Sequence, residues 1–580
     1  MNAFLRSLKY FPLAIILVAE IATVYDFGYQ KPISHQVALV WFYLIVMMVG
    51  AVNIAVRYLR KKWRPPRSVW VFDAMLALFC LVLVVDILEW TNLKLAQLPQ
   101  WIYLAIMLLF VREASTIRIN YKKKHVNPAQ LFVISFLLII TLGTIILTLP
   151  NATHSGISII DALFTSTSAV CVTGLIVVDT GSYFTLFGQH VILLLIQLGG
   201  IGIMTFTSYF SYFFKGGATY QNQLMLKDMA NADKLAEVFN TLRKIIILTL
   251  VIELAGAVFV FFSVSEIQFE SLSSRIYFSV FHAVSGFCNA GFSTLQNSLY
   301  ETGFRFNFPL HLILAFLLIV GGLGFPILFN FYTYLRHLLL DRLLPKLRNQ
   351  PPRHRPWIIN INTRIVIITT TILLALGTVS IFILEYNNTL AGYSLWGKLV
   401  TAFFGAATPR TAGFNTIDTG ALHFSTILVV MFLMFVGASP SSTGGGIKTS
   451  TLALAFLNIY NLARDRSRIE IFRKQIATNS VHRAFAIITL SIINIGIAIF
   501  LITSFDPELE ALDVVFETIS AYGTVGLSLG ITAALSSASK LVIIATMFVG
   551  RVSMLTIMVA LLRRVKHLNY TYPTERILIN

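Results

Sequence analysis

Apolar runs of about 20 residues, each long enough to cross a hydrocarbon core of ~30 Å, recur along nearly the whole 580-residue chain. No water-soluble core accounts for that many, and the balance of residue types agrees. Hydrophobic residues make up 56% and charged residues 12%, where soluble domains carry roughly a quarter charged. Mean hydropathy is +0.77. The chain therefore reads as a polytopic, all-α membrane protein.

The formal net charge of +18 would suit a nucleic-acid binder, but the placement of Lys and Arg points to membrane topology instead. Basic clusters stand at Arg57–Arg67, Arg112–Lys124, Lys215–Lys244, Arg336–Arg355, Arg464–Arg483 and Arg563–Arg576, whereas Asn151–Gln189 contains neither residue. The positive-inside rule makes every cluster cytoplasmic, which requires an even number of crossings between successive clusters. The apolar segments supply that number and put both termini in the cytoplasm. Phe11–Tyr25 resembles a signal peptide but lacks a small-residue cleavage site, and the even count needs it retained. Cys80, Cys171 and Cys288 show no disulfide or zinc spacing.

Four helices are predicted first, near 11–25, 36–56, 69–90 and 101–111. After them the pattern changes to four copies of apolar helix, Ser/Thr/Gly/Ala-rich stretch, apolar helix. The first helices lie near 131–150, 243–263, 364–385 and 482–504, and the second near 188–214, 309–335, 424–463 and 538–562. The intervening stretches read STSAVCVTGLIV, AVSGFCNAGFST, AATPRTAGFNT and SAYGTVGLSL. Their glycines, Gly174, Gly291, Gly413 and Gly526, are spaced by 117, 122 and 113 residues, a long internal repeat. Asp161 and Asp513 each precede their glycine by 13 residues, and MFVG recurs ending at Gly437 and Gly550, each 24 residues after its glycine. The expected division is 1–125, a four-helix transmembrane extension; 126–242, 243–358 and 359–480, pore units one to three; and 481–580, pore unit four with a cytoplasmic tail.

Non-helical backbone is tolerated at membrane depth only where it is buried in protein or lines a wet cavity. Four such segments predict one central pore. A short half-helix such as Asp513–Ala521 would present its carbonyl end, about half a negative charge, to a cation. Glycine then permits backbone angles that let successive carbonyls replace the ion's water shell. The alternative, ordinary turns between helices, fits a single copy far better than four.

Gly437–Ser450 (GASPSSTGGGIKTS) interrupts the second helix of unit three. Ile447 separates Gly446 from Lys448, so the ending of a phosphate-binding Walker motif is absent. Pro440 and three consecutive glycines disfavour a regular helix, leaving either a gate under the filter or a passive kink. Arg551, a charge within an apolar helix, is expected to face the bundle interior or water, either at that gate or as an interhelical partner. Glu20, Asp73, Asp86 and Glu253 are read as bundle-interior hydrogen-bonding groups before proton or cation relays. The fourth helix carries no arginine ladder of a voltage sensor. A polytopic membrane enzyme is disfavoured by the lack of a clustered His/Asp/Glu or Ser/His constellation.

TSAVCVTGLIVVDTG, FCNAGFST, RTAGFNT, YGTVGLS and SPSSTGGGIKT together resemble the Trk/Ktr/HKT superfamily of cation transporters, and the Ktr-type translocating subunit most closely, over about residues 126–566. The resemblance implies four M1-P-M2 units around one pore, uptake of potassium that is often sodium-dependent, a homodimer in the bacterial cytoplasmic membrane, and a cytoplasmic ring of nucleotide-binding RCK subunits. It implies no cofactor in this chain and no nucleic-acid partner; membrane lipid surrounds it, with K+ as cargo and Na+ as coupling or activating ion. Carried over by residue, the filter is Val172, Thr173, Gly174 and Leu175; Asn289, Ala290, Gly291 and Phe292; Thr411, Ala412, Gly413 and Phe414; and Thr524, Val525, Gly526 and Leu527. The gate comprises Gly437, Ser439, Pro440, Ser442, Thr443, Gly444, Gly445, Gly446 and Lys448, with Arg551 facing it. Sodium-preferring members often carry serine at the first filter glycine, so four glycines favour potassium; a Trk-like or sodium-preferring transporter is the alternative within the superfamily. Residues 1–125, lacking in shorter members, are expected to form a lipid-facing collar, or else a regulatory module.

Overall fold

The structure is a computed structural model; it describes residues 11–29, 32–59, 67–88, 99–114, 128–202, 238–338, 359–440, 442–466 and 468–561. Most of the basic clusters, the second helix of unit one beyond residue 202, and the C-terminal tail lie outside the described residues.

The described residues are almost wholly helical. Helices α1 (Phe11–Gly28), α2 (Ile33–Leu59), α3 (Arg67–Ile87) and α4 (Pro99–Ala114) form an N-terminal bundle. Its core of Ile16, Tyr43, Met47, Cys80 and Ile106 is fully buried, while Trp41, Val52, Trp70 and Met75 lie on its exterior. Apolar residues on both faces are what a helix bundle in lipid needs. Polar groups inside the bundle are paired. Arg112 Nη2 donates to Asp73 at 2.7 Å, the Tyr58 hydroxyl donates to the same carboxylate at 2.7 Å, and Arg57 pairs with Glu113. The bundle meets the rest of the chain near residue 150, where the Asn151 amide donates to the Phe27 carbonyl at 2.7 Å and the Phe27 and Phe187 rings lie 4.4 Å apart.

Four helix–half-helix–helix stretches follow. Unit one has α5 (Pro128–Leu147), α6 (Ile159–Cys171) and α7 (Leu186–Ile201). Unit two has α8 (Val238–Ser263), α9 (Leu272–Cys288), α10 (Phe308–Leu323) and α11 (Phe325–His337). Unit three has α12 (Ile361–Leu384), α13 (Leu395–Ala407), α14 (Phe424–Phe435) and α15 (Thr449–Ala463), and unit four has α16 (Thr478–Phe505), α17 (Ala511–Gly523), α18 (Ser537–Val552) and α19 (Met554–Leu561). Five described helices are long and apolar enough to span a membrane: those over 34–58, 69–87, 243–263, 361–384 and 478–505.

Chain order becomes a ring through one repeated contact. Each second helix packs on the half-helix of the next unit: α7 on α9, α10 on α13, α14 on α17, and α18 back on α6. The half-helices are buried along their inner lengths, as Phe164, Phe281, Phe404 and Phe516 at or near 0% exposure attest. Sequence reading anticipated an interruption only in the second helix of unit three, but those of units two and four break too. Unit one's α7 ends at Gly202 with φ +80°, α10 bends by 103° into α11 at Gly324 with φ +88°, and α18 gives way to α19 at Ser553 with φ +72°. Each of these positions follows by three residues a glycine (Gly199, Gly321, Gly550) whose missing side chain lets the helix lie on a half-helix carbonyl.

Candidate functional site

The half-helices end in a shared way. Val172, Asn289 and Thr524 follow α6, α9 and α17 in the left-handed region, with φ between +51° and +60°. Their amides and those of the next residues bond back to carbonyls three and five residues earlier, a Schellman-like closure (Val172 to Ala169, Thr173 to Ser168). In unit three Pro409 cannot donate a helical hydrogen bond; α13 stops at Ala407, and Thr411 takes the left-handed position with φ +84°. Two residues later each strand turns left-handed again, at Gly174, Gly291, Gly413 and Gly526, with φ from +69° to +93°. Val172, Thr411 and Thr524 are β-branched, so these turns carry strain of order 1–3 kcal/mol each. Such strain persists only where the surroundings hold it.

The four strands face one another in a closed cycle. A methyl group placed on Gly174 would lie 2.4 Å from the Ala290 carbonyl oxygen, one on Gly291 would lie 2.3 Å from that of Ala412, and one on Gly413 would lie 2.3 Å from that of Val525. The last contact closes the ring, Gly526 meeting the carbonyl of Thr173 at 2.3 Å. Four unrelated turns at the periphery cannot produce this order. Thr173, Ala290, Ala412 and Val525 are buried completely. The following residues Leu175, Phe292, Phe414 and Leu527 are also buried and pack into the apolar clusters behind the ring.

A set of hydroxyls that sequence reading missed anchors these strands. Ser168 and Ser520 accept the amide N–H of Gly174 and Gly526 at 3.1 Å, while the Ser285 and Thr408 hydroxyls donate to the carbonyls of Phe292 and Phe414 at 2.7 Å. The signal was present: in three of the four stretches a serine stands six residues before the glycine, and in the third a threonine stands five before.

The loop between α14 and α15 lies against the inner end of the ring. Val436 and Ile447 form a parallel bridge across its neck. Ser439 and Thr443 donate backbone N–H groups to the carbonyls of Gly322 and Gly321, at 2.9 and 3.4 Å, and the Thr443 hydroxyl donates to Phe287 at 3.3 Å. The amide of Gly445 donates to the Thr524 hydroxyl at 2.9 Å. Gly444 sits so close to the Thr411 side chain that a methyl group on it would fall 2.1 Å from that hydroxyl. Thr411 in turn hydrogen-bonds the Asn289 amide at 3.0 Å. Lys448 curls back to donate to the carbonyls of Gly444 and Gly445, at 2.6 and 3.3 Å. Arg551 completes the arrangement, its guanidinium donating to the carbonyls of Thr443 in the loop and Gly199 in α7. A single buried cation thus ties unit four to units one and three, where sequence reading left a gate contact and an interhelical contact as alternatives. Gly437, Pro440, Ser442 and Gly446 belong to the same loop; Gly446 adopts φ +66°, and the buried Ser442 hydroxyl has no described partner.

Ring and loop are accompanied by clear kinship. Residues 100–569 match the family model described as TrkH, cation transport protein. The chain belongs to this Trk-type cation transport family. It is 35% identical to the Ktr system potassium uptake protein B of Bacillus subtilis, over 77% of this chain and 95% of that one. It is 34% identical to the potassium/sodium uptake protein NtpJ of Enterococcus hirae, over 79% of this chain and 98% of that one. The crystal structure of the potassium transporter TrkH from Vibrio parahaemolyticus shares the fold, with a TM-score of 0.60 at 16% identity, covering 90% of this chain and 98% of that chain.

Membership of a membrane cation transport family makes this chain a transporter rather than an enzyme. The family match begins at residue 100, inside α4, not at 126 where the motifs placed it. Among the described residues no three His, Cys, Asp or Glu side chains gather to hold a metal. Of the four intramembrane acids singled out, Asp73 pairs with Arg112 and Tyr58. Glu253 accepts from the Gln197 amide at 2.9 Å and from the Cys288 thiol at 3.6 Å. Asp86 is buried, and Glu20 keeps one oxygen buried without a described partner.

Proposed function

We propose that this chain takes up potassium across the bacterial cytoplasmic membrane, through a filter made by the backbone of Val172–Leu175, Asn289–Phe292, Thr411–Phe414 and Thr524–Leu527. The observation that carries the reading is the closed cycle in which each filter glycine abuts the carbonyl preceding the glycine of the next unit. Four carbonyl dipoles in that cycle, each following the carbonyl end of a half-helix, replace a cation's water shell without any formal charge. The relatives named as potassium or potassium/sodium uptake proteins support the choice of ion.

Gly437–Lys448 is the gate in this reading. Its backbone fills the space beneath the ring, held there by Arg551, Lys448 and Thr524. A buried cation at that level also opposes the passage of K+ until the loop withdraws. Sodium dependence, homodimer formation, a cytoplasmic nucleotide-binding RCK ring as partner and cytoplasmic termini complete the proposal. The Ktr relatives and the placement of basic clusters support these parts.

Purified chain in liposomes should pass K+ in preference to Na+, and shortening the gate loop by residues 442–445 should raise K+ leak. Retained Na+ flux without K+ flux would overturn the ion assignment, and unchanged or reduced flux after shortening would overturn the gate. Expression in a K+-uptake-deficient host, with and without an RCK partner, tests the regulatory part; identical uptake in both would refute it.

A further inference from the structure

Three residues before each filter glycine, where the half-helices of units one, two and four end, the four units differ. Units one, two and four carry Cys171, Cys288 and Gly523, and unit three carries Arg410. Arg410 is 8% exposed. It lines a narrow crevice walled by Leu318, Ile319 and Gly322 of α10, Thr370 and Leu374 of α12, and Ala407 of α13. The one polar group it reaches is the Thr370 hydroxyl, 3.5 Å from Nη2, and Nε has no partner among the described residues. No described carboxylate pairs with it.

Arginine keeps its charge in proteins, and apolar walls screen that charge far less than water would. The next residue, Thr411, opens the third filter strand. A half-helix attracts a cation through the negative end of its dipole, worth about half a charge. In unit three a full positive charge stands three residues beyond that end, whereas Cys171, Cys288 and Gly523 at the same position in the other units carry no formal charge of their own.

We propose that Arg410 sets how tightly the filter holds its cation: three half-helices attract the ion, the third unit's is quenched by its own arginine, and the ion is thereby held loosely enough to leave. The proposal rests on the filter reading above and makes Arg410 a positioning charge that does not touch the ion. Conduction needs binding weak enough for release, and a quenched quadrant supplies that weakness without altering the ligand cage. A unit charge on the order of 10 Å from a bound ion, at an effective dielectric of about 20, changes affinity on the order of tenfold.

The test is K+ titration calorimetry on the purified full chain, with K+ uptake kinetics in liposomes alongside. Arg410→Gln should bind K+ about tenfold more tightly, with KM and Vmax both falling, while Arg410→Lys keeps the original affinity within about twofold. Thr370→Asp, which places a carboxylate against the guanidinium without removing it, should also tighten binding. Unchanged or weaker K+ binding in both Arg410→Gln and Thr370→Asp would overturn the proposal and leave Arg410 a structural anchor. Gly413→Ala separates the two levels of argument. If it loses K+ binding while the Arg410 and Thr370 variants do not change, only this inference fails; if it binds K+ normally, the filter reading itself fails.

Discussion

Replacing Gly413 by alanine tests the ring at the point where its geometry is tightest. The backbone there holds φ at +81°, and the new methyl group would sit 2.3 Å from the Val525 carbonyl oxygen and 3.1 Å from the Gly526 Cα. Left-handed backbone costs alanine ~1–2 kcal/mol. Relief of the contact requires the Val525 carbonyl to retreat, since backbone cannot rotate away as a side chain can. Separations under 3.0 Å are essentially never seen for a real Cβ, so the oxygen must move by at least ~0.7 Å, comparable with the ~1 Å misplacement that costs on the order of a hundredfold where geometry sets rate. K+ flux through proteoliposomes should therefore fall 30- to 100-fold, roughly, and the K+/Na+ ratio should fall with it. Gly392→Ala is the matched control, because nothing lies within 4 Å of its added methyl group. Should Gly413→Ala fold and conduct K+ within twofold of the parent, with selectivity intact, the carbonyl cycle is not the conduit.

Arg551→Gln removes charge-assisted bonds to two carbonyls, each worth ~1.5–3 kcal/mol, and should raise basal K+ efflux about 10- to 100-fold; slower efflux would place Arg551 outside the gate. Ser520→Ala removes the acceptor for the Gly526 amide at a cost of ~1 kcal/mol, and K+ selectivity measured by reversal potential should decline in step, whereas an unchanged reversal potential would make the hydroxyl incidental. Asp73→Asn removes the carboxylate charge that pairs with the Arg112 guanidinium in the N-terminal bundle, where breaking a buried pair costs ~3–5 kcal/mol. The melting temperature of the purified protein should drop by several degrees while flux per folded molecule holds; loss of flux at unchanged stability would favour a regulatory bundle over a collar.

The helices were legible because apolar runs of span length allow little else, and the N-terminal four appear within a few residues of where hydropathy sets them. The four left-handed turns were legible because glycine is the one residue whose presence at Gly174, Gly291, Gly413 and Gly526 announces its backbone angle. What escaped is instructive in the same terms. The first left-handed residue of each strand is Val172, Asn289, Thr411 or Thr524; only asparagine favours that conformation, and the three β-branched side chains give no warning of one they resist. The break at Ser553 also escaped, because an apolar sequence reads alike on both sides of a kink. Ser168 and Ser520 could have been found by aligning the four stretches on their glycines, since a hydroxyl at fixed distance from a strained turn has a mechanical reason to recur.

All four quadrants of the proposed conduit come from one polypeptide, and they are unlike: a long insertion interrupts one second helix, an arginine stands three residues past one half-helix, and another arginine reaches across from the last quadrant to the first and third. A channel assembled from four identical chains receives every substitution in quadruplicate. Here each codon touches a single wall of the ring, so in the proposed filter and gate the release of the ion and the obstruction of its path can be adjusted in separate places without disturbing the remaining walls.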